Sequence, residues 1–432
     1  NSYVIDNVTI KEIVEPKPPV KDPIPNSLES DTMKVNIDEN FPRVVNYEWK
    51  LEGDRQGETF DGQLTPIYGL KINGVTVYPE VAFEKVSNTK AVYTMTAVDP
   101  DNDIDCVITA ELSVEENILS FDITEVVNNN TVQKVNTIEV PNHSLVSVRN
   151  NQDGAVFNGS NMSNNPQQSG DVQIQVDSSF QAGNPAGYIY GFVSNDRFAA
   201  GLWSNSEAGS DKRVTQTSQQ GEGYVSLGLG SSAWTYWQDE MPEPTEVMPS
   251  TKVVIAPDMN EDGIINWQDA AIEYRKVMNN PFGWEKVANT VNERIAMNFG
   301  GQAPNPFLKG LDNIKRVALN TDGLQQFVLE KGYANEGHDS AHPDYADIGK
   351  KIGGAEEMQM LIDEAKAYGG NIGIHVNMQE SYPEADAFCE ELIGSNGTGW
   401  GWLDQGYVID KMHDLVSGNR QQRLEELAAT VQ

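Results

Sequence analysis

The sequence predicts a β plus α/β protein, and the prediction rests on a change of apolar period near residue 258. Before it, from about residue 31, β-branched and aromatic residues alternate with polar ones in short runs. Gly, Asn, Asp and Ser clusters separate these runs and no helical stretch intervenes, the pattern of an antiparallel sandwich. After it, compact strand-like runs alternate with amphipathic helical ones, which indicates a parallel sheet.

Residues 11–26, KEIVEPKPPVKDPIPN, hold five prolines and read as an extended linker. Strands follow in MKVNIDENFPRVVNYEWKL, KAVYTMTAVDP, CVITAELSVEENILSFDITEVVN and GYIYGFVSNDRFAAGLWSN. The stretch 150–185 is rich in Asn, Gly and Ser and is expected to form long surface loops. Next, WQDAAIEYRKVM (267–278) is amphipathic at helical period, with Ala271, Ile272 and Val277 among its apolar positions. RIAMNF (294–299), IKRVALN (314–320) and NIGIHVN (371–377) read as strands, and GAEEMQMLIDEAKAYGG (354–370) as a helix. Each strand-like run ends in polar residues: Asn298; Asn320 with Asp322; His375 with Asn377. The C-terminal ends of parallel strands are where (β/α) barrels place ligand chemistry. About three such units fit before the chain stops, so the sheet is an incomplete barrel or a smaller open α/β domain.

Composition narrows the partners. With 64 Asp+Glu against 30 Lys+Arg, the net charge of -34 repels phosphate backbones and anionic membranes, and it keeps a secreted protein soluble. Cys106 and Cys389 lie far apart and form no metal or redox motif; Cys106 in a strand and Cys389 on a helix read as two free thiols. No run of eighteen apolar residues is present to span a membrane. The chain opens on NSYVIDNVTI without an initiator Met or a signal core, which suggests a processed or cut N-terminus.

Two stretches carry chemistry. DMNEDGIINWQD (258–269) has the spacing of a twelve-residue calcium loop. Asp258, Asn260 and Asp262 fill positions one, three and five, and Gly263 supplies the turn at six. The Ile264 carbonyl serves at seven, Asn266 sits at nine and Asp269 at twelve. A strand rather than a helix precedes it, so it is not a full EF-hand; a structural ion at a domain junction is the expectation, against an acidic turn that only caps the next helix. Dockerins carry two such loops in tandem, and one is found here.

The second is GYANEGHDSAHPDYADIG (332–349), which places two of the chain's 5 histidines, His338 and His342, on either side of Asp339. With His375 in IHVN and with Trp400 and Trp402 in GWGWLDQG, it suits a sugar. Aromatic faces cover the apolar side of a ring, while carboxylates and imidazoles such as Asp339 and His375 bond the hydroxyls. Structural histidines and core tryptophans are the plainer alternative. HDSAH lacks the H-E-x-x-H zinc pattern, and Gly337 and Pro343 disfavour one helix presenting both imidazoles. No G-x-S-x-G elbow, P-loop or G-x-G-x-x-G fingerprint occurs.

These motifs resemble a known family. NWQDAAIEYRKVMNNPFGWE (266–285), RIAMNFGGQAPNPF (294–307), KGYANEGHDSAHPDYADIGKKIGG (331–354), GIHVNMQESYPEA (373–385) and GWGWLDQG (399–406) closely resemble the endo-α-N-acetylgalactosaminidases, glycoside hydrolase family 101. NMSNN (161–165) and YGFVSNDRFAAGLWSN match more loosely. The resemblance implies a secreted or wall-attached bacterial enzyme releasing Galβ1-3GalNAc from Ser/Thr of mucin-type glycoproteins, with retention. It implies a galactose-mutarotase-like β-supersandwich (31–282) after a Pro-rich extension (1–30), then the first part of a (β/α)8 TIM barrel (283–432). It gives Asp339 a bond to the disaccharide, lines the pocket with His338 and His375, sets Trp400 and Trp402 as lid or platform, and places structural Ca2+ on Asp258, Asn260, Asp262, Ile264 and Asp269. The two catalytic carboxylates belong to VDVWGNG- and IEWGH-like motifs absent from this sequence; nothing in the family pattern makes Asp322, Glu380 or Asp404 catalytic. The chain is therefore expected to be an N-terminal portion, inactive by itself. A non-catalytic carbohydrate-binding or adhesion module is the alternative.

Overall fold

The computed structural model describes residues 17–160, 170–206, 213–287, 289–338, 340–398 and 406–431, with the backbone alone at 291–294 and 395–398. The chain divides after Asn279 into two units, each with its own core. Among the described residues no helix is long and apolar enough to cross a membrane.

The first unit builds three sheets, of eight, nine and four strands among the described residues. Its longest strands, Lys90–Asp99, Ile104–Glu115 and Ile118–Asn128, run antiparallel and alternate buried with partly exposed side chains along most of their length. Tyr93, Met95, Ile108, Leu112, Leu119 and Phe121 are buried from this period-two pattern. Each contributes roughly 1.5–3 kcal/mol of transfer free energy. Cys106 belongs to the same buried set, and burial, with Asp105 beside it, pushes its thiol up to about 11. Both cysteines are free.

Two expectations change here. The sheet begins inside the Pro-rich stretch: Pro25–Glu29 pairs with Met33–Asp38, and the chain just before it is pinned by Tyr68 Oη donating to the Lys21 carbonyl and by Asn40 Nδ2 donating to that of Asp22. Proline tolerates the first position of an edge strand, so the linker passes into the sheet without a break. The 150–185 stretch is not all loop, since Val156–Ser160 pairs with Asp171–Gln175 and with Tyr190–Ser194. Its Asn and Gly content suggested loops, but Phe157 and Val176 are buried anchors for it.

Ser250–Ala256 runs between Ala199–Ser204 and Ile118–Asn128 and delivers the chain to the 258–266 loop. The helix Trp267–Tyr274 then starts on a reciprocal cap between Asn266 and Asp269. Tyr274 docks it against Trp203 and Val254.

The second unit contains a parallel sheet of Thr290–Met297, Gln325–Lys331 and Gly370–Ile374, joined by the helices Phe307–Asn320 and Gly354–Ala365. IKRVALN is therefore helical, not a strand. Phe307, Gly310, Leu311 and Ile314 are buried at 3.6-residue spacing while Leu319 is 82% exposed, a stripe a strand does not give. The second strand is QQFVLEK, which the sequence reading passed over. Asn320 and Asp322 accordingly sit at the end of a helix, ahead of the strand rather than beyond it. Gln326, Val328 and Glu330 face the buried side of the strand, with Val328 in the core with Phe307, Ile314 and Leu361. Cys389 lies in extended backbone before the short turn Glu390–Leu392, not on a helix. The last helices, Lys411–Val416 and Asn419–Thr430, are tied by Arg423 Nη2 donating to both oxygens of buried Asp414 at 2.9 Å.

Candidate functional site

The histidine-rich segment follows the second parallel strand directly, so the loop sits at the C-terminal end of the sheet. Its path is fixed by backbone contacts. Asn298, just past the first strand, donates its N–H to the Lys331 carbonyl at 2.9 Å and accepts from the His338 N–H at 2.7 Å. The Asn298 side chain holds Asn305, accepting from its N–H at 3.0 Å and donating to its carbonyl at 3.1 Å. Gly332 turns the chain at φ +79°; a Cβ there would lie 2.1 Å from the Asn298 carbonyl oxygen and 2.5 Å from the His338 nitrogen. Only glycine fits that approach.

His338 is thereby presented to His375, which follows the third strand and donates its N–H to the Glu330 carbonyl at 3.2 Å. The two rings meet edge to face, centroids 5.4 Å apart, and Phe299 packs on His338 at the same 5.4 Å. His338, His342, His375 and Gly332 line one narrow crevice. His342 is buried between Tyr345 and Tyr382, with ring centroids at 6.2 and 6.1 Å, and neither of its nitrogens is hydrogen-bonded among the described residues. Asp339, Trp400, Trp402 and Asp404 lie outside the described residues.

Burial holds these imidazoles neutral. His338 is lowered to about 4, by burial first and then by Lys331, His375 and His342, with Glu380 opposing. His342 is lowered to about 4 by burial and by His375. His375 is lowered by burial and then Lys331. At neutral pH the half-exposed rings of His338 and His375 each carry one N–H donor and one acceptor lone pair, which suits uncharged hydroxyls. None of the three is charged to act as an acid there.

A strand-end carboxylate braces Tyr382, which packs against His342. Glu380 Oε2 accepts from Asn377 Nδ2 at 2.8 Å and from Tyr382 Oη at 3.2 Å, and Tyr345 Oη donates to the Asn377 carbonyl at 3.0 Å. Asn377 and Glu380 are legible in the sequence as polar groups past a strand end; their contacts with each other and with Tyr382 are not.

The 258–269 loop belongs to the first unit. Gly263 takes φ +80°, and its N–H donates to Asp258 Oδ2 at 2.9 Å. Asp262 Oδ1 accepts from the Ile264 N–H at 2.8 Å, and Asn260 Oδ1 from the Asp262 N–H at 3.2 Å. Asp269 is fully buried and accepts from the N–H groups of Met259 at 2.7 Å and Asn266 at 2.9 Å. Asp258 Oδ1 is buried with no hydrogen-bond partner among the described residues. Its carboxylates are turned onto backbone N–H groups, and among the described residues no three acidic, imidazole or thiol groups converge as a ready cage. The all-oxygen donor set and the orphaned Asp258 oxygen nonetheless fit a hard cation.

A sheet-rich unit followed by a parallel sheet with polar groups at its strand ends is a frame that many proteins share, and comparison with known proteins narrows it. Residues 28–267 match the galactose mutarotase-like fold domain and residues 268–432 match Endo-alpha-N-acetylgalactosaminidase. The chain belongs to that family of glycoside hydrolases. It is 32% identical over 431 residues to a Renibacterium salmoninarum protein whose provisional name is endo-alpha-N-acetylgalactosaminidase, covering 95% of this chain and 28% of that one. The chain thus spans little more than a quarter of that relative. Its fold is similar to an α-galactosidase of Geobacillus stearothermophilus (TM-score 0.58, 9% identity, 93% of this chain and 64% of that one). It is also similar to an alpha-N-acetylgalactosaminidase of Bifidobacterium bifidum (TM-score 0.51, 13% identity, 93% and 67%).

Proposed function

We propose that this chain supplies the glycan-binding side of a secreted endo-α-N-acetylgalactosaminidase. The enzyme releases Galβ1-3GalNAc from Ser/Thr of mucin-type O-glycoproteins with retention. The observation that carries the reading is the meeting of His338 and His375 from two separate strand-end loops, both neutral and both half-exposed. Asp339, next to His338 in the sequence, bonds the disaccharide in this reading, and Trp400 and Trp402 cover it.

The parallel sheet is read as the first three units of a (β/α)8 barrel. Helices cover one face, while Ile295 and Phe327, 52% and 36% exposed, leave apolar surface on the other that a closed barrel interior would cover. The 258–269 loop is read as a structural calcium site held by Asp258, Asn260, Asp262, Ile264 and Asp269; a bound ion would cross-link the strand and helix it joins.

Retaining hydrolysis needs a nucleophile and an acid/base about 5–5.5 Å apart. The family motifs for both are missing from this sequence, so the chain alone binds without cleaving. Incubation with the aryl glycoside of Galβ1-3GalNAc, followed by saturation-transfer NMR and aglycone release, tests this. Saturation of the sugar protons without release is expected; measurable release, or no transfer at all, contradicts it.

A further inference from the structure

We infer that the outward face of the Val156–Ser160, Asp171–Gln175 and Tyr190–Ser194 strands, closed on one side by Trp267, is a second glycan site that takes neutral oligosaccharides. It lies wholly within the first unit and stands independently of the histidine crevice.

The register builds it. Asn158 lies opposite both Gln173 and Phe192, and Ser160 opposite both Asp171 and Tyr190. Directly opposed residues share a face of the sheet, so two rows form side by side, each with two polar groups and one aromatic ring. The intervening Phe157 and Gly159 point the other way, into the sandwich core; a Cβ on Gly159 would lie 2.7 Å from the Phe157 and Tyr188 rings. Trp267, at the start of the helix after the 258–266 loop, is 44% exposed and lies 6.4 Å from the Phe192 ring. Together these residues line a cleft of about 520 Å³. Small-molecule sites occupy roughly 300–1,000 Å³.

The lining selects the ligand. Aromatic faces beside carboxamides, a hydroxyl and a carboxylate match a sugar ring, apolar on its C–H side and hydroxylated at its rim. Ser160 Oγ already donates to Asp171 Oδ1 at 2.6 Å, which orders that corner. The carboxamides of Asn158 and Gln173 make no hydrogen bond within the protein among the described residues, leaving donors and acceptors for hydroxyls. No described Lys or Arg lines the cleft and the chain carries a net charge of -34, so anionic sugars and phosphates are disfavoured. An extended peptide would instead add to the edge of the Asp171–Gln175 strand through its backbone and would not use the two rows.

The test is calorimetric titration of the full chain with lactose, N-acetyllactosamine and Galβ1-3GalNAc. It is run on wild type, His338→Ala/His375→Ala, Asn158→Ala/Gln173→Ala and Trp267→Ala. At least one sugar is expected to bind the His338→Ala/His375→Ala chain. Its affinity should fall on the order of tenfold in each cleft variant, one 1.4 kcal/mol step. Asn158 and Gln173 reach outward from the sheet, so that pair keeps the fold, which a melting curve checks. No binding to the His338→Ala/His375→Ala chain, or unchanged affinity in Asn158→Ala/Gln173→Ala, overturns the inference. Loss in the histidine variant alone would leave the crevice reading standing and remove this one.

Discussion

Gly332 illustrates how one residue sets the site. Its φ of +79° and its missing side chain, whose Cβ would lie 2.1 Å from the Asn298 carbonyl oxygen, let the His338 loop close against the first strand's end. Gly332→Ala is expected to destabilise the second unit by about 2 kcal/mol or more. Urea unfolding followed by Trp fluorescence measures it, and an unchanged midpoint would contradict the packing described. The histidines were legible because His338 sits in a polar cluster and His375 at a strand end. His342 was not separable from them by sequence. Spacing alone cannot say that one imidazole of HDSAH is half-exposed while the other is buried between Tyr345 and Tyr382. That burial predicts a pH effect. With its pKa lowered to about 4 from an ordinary 6.5, folded His342 stays neutral where the unfolded chain takes up a proton. The stability it supports is complete above pH 6.5 and is lost as pH falls toward 4, by on the order of 3 kcal/mol. His143, buried in the sandwich and also lowered to about 4, acts in the same direction. Thermal melts between pH 7 and 4.5 should show a shallower fall for His342→Gln than for wild type; parallel slopes would refute the assignment.

At the scale of the element, the sandwich strands were legible because half-buried pleats write a strict alternation into sequence. The α/β part was less so. IKRVALN holds β-branched residues in a window shorter than two helical turns, and its helical stripe shows only when Phe307, Gly310 and Leu311 are included. QQFVLEK was passed over because Gln326 and Glu330 are buried polar residues on its covered face. The 258–269 loop was legible as a ligand spacing, yet Asp269 also serves as a cap. Asp269→Ala is expected to cost about 1 kcal/mol from the lost cap alone. If calcium binds, the wild-type melting temperature rises with added calcium and falls with chelator, whereas the variant shows neither shift. A wild type indifferent to both would confine Asp269 to capping.

At the scale of the whole molecule, membership of the endo-alpha-N-acetylgalactosaminidase family accounts for the pairing of a galactose mutarotase-like domain with an α/β segment. The central claim is that the crevice between the second and third parallel strands grips the sugar through neutral imidazoles. Calorimetric titration of Galβ1-3GalNAc at pH 7 into wild type, His375→Ala and His338→Ala tests it most directly. The account predicts that each substitution weakens the tightest binding phase by about tenfold, the cost of a hydrogen bond left unmade. Wild-type affinity in both variants would contradict it.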